Sequence, residues 1–146
     1  MEVVVAGNVD DATQRKVPSK VSIKFLGTVP REHIPALARS CHMMFSAEVN
    51  PPCPNSVIEA LACGLPVIGF DSGALKELVA DGAGCVVPYG ANPWKLETPD
   101  IAALAESAVE VLMKQDQFRA AARMRAESAF GLDHMVESYL KVLLED

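Results

Sequence analysis

The sequence contains no long apolar run and no marked excess of basic residues. No stretch approaches the roughly eighteen apolar residues that a membrane-spanning helix needs, and the N-terminus shows no basic region followed by an apolar segment. The net charge is -6, with Lys and Arg scattered along the chain, so nucleic-acid binding has no electrostatic basis. These absences predict a cytoplasmic protein, with peripheral attachment to a membrane surface as the alternative.

Two cysteine- and glycine-based motifs are also missing. The four cysteines show no Cys-x-x-Cys spacing and the chain is not loop-rich, which predicts reduced, mostly buried thiols rather than disulfides or a metal site. No Gly-x-Gly-x-x-Gly follows the first predicted strand, which argues against a dinucleotide-dependent oxidoreductase. The acidic residues Asp10 and Asp11 after that strand only weakly resemble the acidic pocket of a receiver domain.

Short apolar runs alternate with amphipathic segments along the chain, and half of all residues are hydrophobic. Unbroken apolar strands separated by helices are typical of a parallel sheet covered on both faces, and right-handed crossovers make it doubly wound. The sequence therefore predicts one α/β, Rossmann-like domain over residues 1–146. The predicted strands are Val3–Ala6, Val21–Leu26, Met43–Phe45, Val67–Phe70 and Cys85–Val87, and the last three helices begin near Pro99, Gln115 and Asp133.

The segment Pro51–Val79 contains the clearest signals for the start and end of a helix in this sequence. Prolines precede a predicted helix, Asn55 and Ser56 are residue types that cap helix N-termini, and Gly64 ends the helix. Glu59 lies one turn after Asn55, and we expect it beside the apolar stripe of the helix. Two interpretations of Glu59 stay open. It could support the helix electrostatically, or it could face a cleft and accept hydrogen bonds from a polyol while nearby amides receive phosphate.

The same segment, PNSVIEALACGLPVIGFDSGALKELV, resembles the donor-binding segment of the family-4 retaining glycosyltransferases, which have the GT-B fold. Their pattern has two glutamates eight positions apart, then Ala-x-Ala-x-Gly-x-Pro-Val, then a Gly-Gly-x-Pro-Glu turn. The second glutamate corresponds to Glu59, whereas Pro51 stands in place of the first, and Ala74 and Lys76 replace Gly and Pro in the turn. The other matching residues are Ala60, Ala62, Gly64, Pro66, Val67, Gly73 and Glu77.

The resemblance implies a donor site for a nucleotide diphosphate sugar. Glu59 would hold the ribose hydroxyls, and backbone amides of Asn55, Ser56 and Val57 would hold the diphosphate. Gly73 and Ala74 would leave room for the ligand or allow close approach of backbone, and the turn Gly27-Thr28-Val29 would flank the base. The implied reaction is transfer of a hexosyl group with retention. No metal or other cofactor is implied, and no Asp-x-Asp is present.

The resemblance also implies missing parts. Enzymes of this fold bind the acceptor mainly in a separate N-terminal domain, and their donor domain begins with a further β-α unit. We therefore expect this chain to lack the central strand between the strands that begin at Val3 and near His42. Those two strands would pair directly, or another segment or chain would fill the gap. The isolated chain would be inactive and would need an acceptor-domain chain or a homo-oligomer. A non-catalytic binding or regulatory module is the alternative, favoured by the loss of an acid at Pro51.

Overall fold

The computed structural model describes residues 2–144, which form two compact units divided between Ala36 and Leu37. The first unit contains strand β1 (Val3–Ala6), helix α1 (Asp11–Gln14) and strand β2 (Ile23–Gly27). The two strands pair in parallel, with Val3 beside Ile23, as the β-branched runs predict. None of residues 2–36 is fully buried. A two-stranded parallel sheet with both faces partly open is unusual, because parallel sheets occur almost only with both faces covered.

The second unit is built on a parallel sheet of three strands in the order β3-β4-β5. Its strands are β3 (Met44–Ser46), β4 (Val67–Asp71) and β5 (Gly84–Pro88). The helices that complete the chain are α2 (Ile34–Ser40), which contains the boundary between the units, α3 (Asn55–Ala62), α4 (Leu75–Leu78), α5 (Ile101–Met113), α6 (Gln115–Ala129) and α7 (Leu132–Leu144). Short 3-10 turns occupy Arg31–His33 and Pro93–Lys95. The first of these turns leads directly into α2 at Ile34.

Alternate residues of β4 enter two separate cores, one on each side of this sheet. Val67 packs with residues of α3, α4 and α6, among them Leu61 and Ala122. Ile68 and Phe70 pack on the other side with Leu104 and Val111 of α5. The doubly covered parallel sheet is therefore confirmed for β3, β4 and β5.

The hydrogen-bond ladders within residues 2–144 form two sheets rather than the predicted single sheet. Of the two alternatives for β1 and β3, direct pairing is not observed, and the filling of a gap by another segment or chain stays a prediction. Helix α5 buries Leu104, Ser107 and Val111, and its Val109 and Leu112 are exposed. The thiols are not mostly buried, because Cys41, Cys63 and Cys85 are half-buried and Cys53 is exposed.

Three arginines of α6, namely Arg119, Arg123 and Arg125, contact the C-terminal ends of three other helices. Arg119 donates to the carbonyls of Arg39 and Cys41 at the end of α2, and Arg123 donates to the carbonyl of Ala62, the last residue of α3. Carbonyls at a helix C-terminus lack intrahelical partners and carry partial negative charge. Cations are therefore stabilising there, and these arginines hold α6 against the rest of the second unit.

Arg125 makes the most extensive of these contacts. Its guanidinium donates to the carbonyls of Glu77 (2.8 Å) and Leu78 (3.3 Å) and to Asp81 Oδ2 (3.1 Å). Its Cζ also lies 5.2 Å from the centroid of the Phe130 ring, within the range of a cation–π contact.

We expect Arg125→Ala to lower the free energy of unfolding by about 2–3 kcal/mol, because hydrogen bonds to charged groups contribute about 1.5–3 kcal/mol and only 18% of this side chain is exposed. Urea unfolding measures the change. Arg123→Ala is the matched control, since its side chain is 56% exposed and its removal should cost less than about 1 kcal/mol. Equal losses for both variants would contradict the special role of Arg125.

Candidate functional site

Two loops at the carboxyl edge of the three-stranded sheet are clasped together. The loop after β3 includes Asn50 and Pro51, and the turn after β4 is Ser72-Gly73-Ala74. The amide of Asn50 donates to the hydroxyl of Ser72 (3.2 Å), and the amide of Ala74 donates to the carbonyl of Pro51 (2.9 Å). Ser72 and Pro51 are buried. We call these five residues the loop clasp.

Gly73 lies at the tightest point of the loop clasp. A Cβ atom on Gly73 would lie 2.5 Å from the nitrogen of Pro51 and 2.6 Å from the carbonyl carbon of Asn50. Gly73 has φ +57° and Asn50 has φ +53°. Of the two uses expected for Gly73, the structure shows close approach of backbone. The amide of Ala74 is occupied by Pro51.

The N-terminus of α3 follows this loop directly and lacks a side-chain cap. The residue before the helix is Pro54, which cannot supply one, and Asn55 and Ser56 are already helical. The prediction that Asn55 and Ser56 cap the helix is therefore wrong. The amide of Val57 donates to the carbonyl of Pro54 (3.0 Å), whereas those of Asn55 and Ser56 have no hydrogen-bond partner in the described part of the chain. Free amides at a helix N-terminus attract anions.

Glu59 lies on the exposed side of α3. The helix buries Val57, Ala60 and Leu61, and at 100° per residue Glu59 falls almost opposite this face, close to Asn55. The expectation that Glu59 lies beside the apolar stripe is therefore wrong. Glu59 is exposed. Within residues 2–144 its carboxylate forms no salt bridge and no hydrogen bond. It is consequently available to a ligand.

The turn Gly27-Thr28-Val29 lies in the first unit, at the carboxyl end of β2. The carbonyl of Gly27 accepts a hydrogen bond from the amide of Gly7 (2.7 Å), and the hydroxyl of Thr28 donates to Asn8 Oδ1 (3.0 Å). Space for a Cβ atom is open at Gly27, and Val29 is half-buried. The structure thus ties this turn to the end of β1, and the other predicted site residues belong to the second unit.

Sequence reasoning missed two members of the loop clasp, Asn50 and Ser72. The residue type of Asn50 weakly indicates a turn, because Asn tolerates positive φ better than most residues. The role of Ser72 depends on a partner 22 positions away in sequence, which local patterns do not reveal. Near the same edge Asp71 is neutralised by Lys76, whose Nζ lies 2.9 Å from Asp71 Oδ2. On β5, burial raises the pKa of the Cys85 thiol, with a smaller effect of the Glu110 charge.

Within residues 2–144 no three His, Cys, Asp or Glu side chains are close enough together to hold a metal ion. Over the same range, no helix has both the length and the apolar character needed to cross a bilayer.

The family model for glycosyl transferases group 1 matches residues 1–114, and the chain belongs to this family. Among curated proteins it is 25% identical over 140 residues to an alpha-maltose-1-phosphate synthase of Mycolicibacterium smegmatis, which covers 94% of this chain and 36% of that enzyme. The chain therefore spans about a third of that relative.

Solved structures with the GT-B fold share the architecture of this chain. A sucrose-phosphate synthase from Thermosynechococcus elongatus matches with a TM-score of 0.71 and 22% identity, over 98% of this chain and 38% of that one. Anabaena Alr3699/HepE in complex with UDP matches with a TM-score of 0.70 and 22% identity, over 97% and 40%. The pneumococcal O-GlcNAc transferase GtfA in complex with UDP and GlcNAc matches with a TM-score of 0.71 and 19% identity, over 99% and 29%. These likenesses show the fold.

Proposed function

We propose that this chain is the donor-binding half of a family-4 retaining glycosyltransferase that transfers a hexosyl group from a nucleotide diphosphate sugar. The observation that carries the proposal is the uncapped start of α3, where the amides of Asn55 and Ser56 have no partner one turn before the unpaired, exposed Glu59. Two of the similar structures are complexes with UDP, which supports the same ligand class for this chain.

Each group has a chemical task in this proposal. The two free amides and the positive end of α3 bind the diphosphate. In the transition state the departing diphosphate gains negative charge, and donors already fixed in place stabilise it without reorganisation. The Glu59 carboxylate accepts hydrogen bonds from the two ribose hydroxyls. This arrangement requires no metal ion or other cofactor. The turn Gly27-Thr28-Val29 belongs to the first unit, and its contact with the base stays a prediction.

The proposal includes a missing partner. The outer edge of β1 is unpaired in residues 2–144, and none of residues 2–36 is fully buried. Such a unit has little apolar burial to offset the entropy of ordering its chain. We infer that a separate acceptor-domain chain, or a second copy in a homo-oligomer, completes the enzyme. The isolated chain is then inactive, and its proposed location is the cytoplasm or the cytoplasmic face of a membrane.

A non-catalytic binding module is the second candidate. Pro51, which stands in place of the first motif acid, is buried and its carbonyl is used inside the loop clasp. Proline has no carboxylate, so this chain has no acid at position 51 to contact a transferred sugar. A module that binds a nucleotide but never completes an active enzyme would have the same site.

Protection of Cys53 tests the nucleotide site directly. Cys53 is the one exposed cysteine and lies two residues before α3. We expect saturating UDP, GDP or ADP to slow its alkylation by iodoacetamide, by about tenfold at ten times Kd, because only the unoccupied fraction reacts. Mass spectrometry of the peptides measures the rate, and half-buried Cys41, Cys63 and Cys85 are internal controls.

The outcome separates the candidates. Protection of Cys53 by one nucleotide, with unchanged rates at the three controls, supports a donor site. If millimolar UDP, GDP and ADP each leave the alkylation rate of Cys53 the same as without nucleotide, the proposed donor site is wrong. Where Cys53 is protected, a further assay separates the two candidates. Glycosyl transfer that occurs only after an acceptor-domain chain is added indicates a split enzyme, and no transfer indicates the non-catalytic module.

A further inference from the structure

Helix α7 carries an apolar face that the described part of the chain does not bury. None of its residues is buried. Its apolar side chains recur every three or four positions, which places them on one side of the helix. Tyr139 is 65% exposed and Leu143 is 74% exposed. We call these two residues the α7 face, together with four further exposed residues, Leu132, Met135, Val136 and Leu140.

A helix of this length needs packing to be stable. Isolated helices shorter than about 12–15 residues are marginal in water, and most of the stability of a helix in a protein comes from the packing of an amphipathic face. Helix α7 has 13 residues. We therefore expect the α7 face to be covered in the functional protein.

The sheet of β1 and β2 also lacks a cover. Val3 pairs with Ile23 and Val5 pairs with Phe25. Alternate residues of a strand share a face, so these four apolar side chains lie together, and we call them the β1–β2 face. Val3 is exposed and the other three are half-buried. Two paired strands need further strands or a packed helix for independent stability, and parallel sheets normally have helices on both faces.

The α7 face and the β1–β2 face match in kind and in size. A helix packed on a sheet is one of the standard ways to close a core. The 13 residues of α7 make a helix about 20 Å long, and the five residues of β2 make a strand about 17 Å long. A helix about 10 Å wide also spans two strands that lie about 4.8 Å apart. One α7 helix can therefore cover this sheet.

Charge argues against two other apolar surfaces as the cover of α7. At about 100° per residue, Asp133 and Glu137 border the α7 face, whereas Lys141 lies opposite it. A second α7 helix therefore brings no cation to these acids. The outer side of α5 exposes Ile101 and Val109, but an exposed acid, Glu106, borders it.

The first unit supplies the cations that these acids need. Residues 2–36 contain five Lys or Arg and four Asp or Glu. Lys16, Lys20 and Lys24 are exposed, and none of the three belongs to a salt bridge within residues 2–144, whereas Arg15 lies 3.9 Å from Asp11. Complementary charges across a contact select the partner and speed association. The β1–β2 face is therefore the apolar surface whose surroundings suit α7.

We propose that α7 of a second copy of this chain covers the β1–β2 face, and that the exchange is mutual. In a two-fold dimer each copy gives its α7 face to the other copy and receives that copy's α7 in return. One association thus covers both exposed faces of each chain. This inference rests on the homo-oligomer named in the proposed function, to which it gives a defined contact surface.

Photocrosslinking in a mixture of light and heavy isotope-labelled copies tests the contact. A benzophenone amino acid takes the place of Tyr139 in the full chain. We expect hybrid crosslinks that join an α7 peptide of one label to a peptide of the other label containing Val3–Ala6 or Ile23–Gly27. Crosslinks without light–heavy hybrids, or hybrids only between two α7 peptides, would overturn the proposal.

Sedimentation equilibrium measures the strength of the dimer. Tyr139→Asp should raise its dissociation constant about tenfold or more, because a central aromatic contact is replaced by a charge. Val109→Asp is the matched control, since Val109 is an apolar residue of α5 that is 55% exposed, and the constant should not change. A dimer weakened by Val109→Asp and not by Tyr139→Asp would contradict the assigned surface. A parent chain that is monomeric throughout the micromolar range would also overturn it.

Nucleotide protection of Cys53 keeps this inference separate from the donor site. Cys53 belongs to neither of the two faces, so its protection should be the same in Tyr139→Asp as in the parent chain. A monomeric parent chain with intact protection would overturn the dimer alone. A dimer in which no nucleotide protects Cys53 would overturn the donor site alone.

Discussion

Glu59→Gln should weaken nucleotide binding about 10- to 100-fold while leaving stability almost unchanged. A carboxylate that accepts hydrogen bonds from a ribose contributes about 1.5–3 kcal/mol, and each factor of ten in Kd corresponds to about 1.4 kcal/mol. The side chain is exposed and has no partner to lose within the described residues, so we expect the free energy of unfolding to change by less than about 0.5 kcal/mol. Calorimetric titration with whichever of UDP, GDP and ADP protects Cys53 measures the loss.

A double-mutant cycle makes this expectation specific to the ribose. The parent chain should bind the 2′,3′-dideoxy nucleotide as weakly as Glu59→Gln binds the ordinary one, and the two changes together should cost little more than either alone. Glu106→Gln, which removes an exposed acid of α5, controls for the change in net charge. Equal discrimination against the dideoxy nucleotide in the parent and in Glu59→Gln would show that the carboxylate does not contact the ribose.

The strands were predictable because their signal is local. Val3–Ala6 is β1 without change, and Val67–Phe70 is β4 except for one residue at its end. Each is a short apolar run rich in Val or Ile and followed by turn residues, and such a run indicates a strand. The same patterns located the turns at the carboxyl ends, where loops of doubly wound sheets bind ligands.

The start of α3 was harder to predict. Asn and Ser are good capping residues, but the helix begins one residue earlier than a cap at Asn55 would allow, and Pro54 takes the position before it. The consequence is functional. A capping side chain would occupy amides that the proposed diphosphate needs. The absence of a cap at the start of α3 therefore coincides with the candidate site, as expected where function overrides stability.

Long-range contacts could not be read from the sequence. Arg119, Arg123 and Arg125 look like a solvated stripe, because helical periodicity says nothing about carbonyls that lie 47 to 80 positions away. The division of the strands into two ladders was not predictable either, because the residue pattern within a strand does not record which strand is its neighbour. The loop clasp belongs to the same class, since each of its bonds joins two loops.

The loop clasp is therefore the feature whose disruption should have the largest structural effect. Gly73→Ala adds a Cβ atom against the carbonyl and nitrogen of Pro51, which are backbone atoms that cannot rotate away. The loop must move as a whole, which should break the hydrogen bonds from Asn50 to Ser72 and from Ala74 to Pro51. We expect a loss of about 3 kcal/mol or more in the free energy of unfolding, made up of left-handed strain of about 1–2 kcal/mol and two lost hydrogen bonds of about 1 kcal/mol each.

Gly82→Ala separates the clash from the strain. Gly82 has φ +78°, but a Cβ atom there would meet only the Ala121 side chain at 3.7 Å, an ordinary contact. This variant should therefore lose only the 1–2 kcal/mol of strain and should keep nucleotide protection of Cys53. Gly73→Ala should lose both stability and protection, because the displaced loop leads directly into Pro54 and the free amides of α3. If the two variants unfold at the same urea concentration, the close approach at Gly73 is not what holds the loop, and the two free amides are positioned by α3 alone.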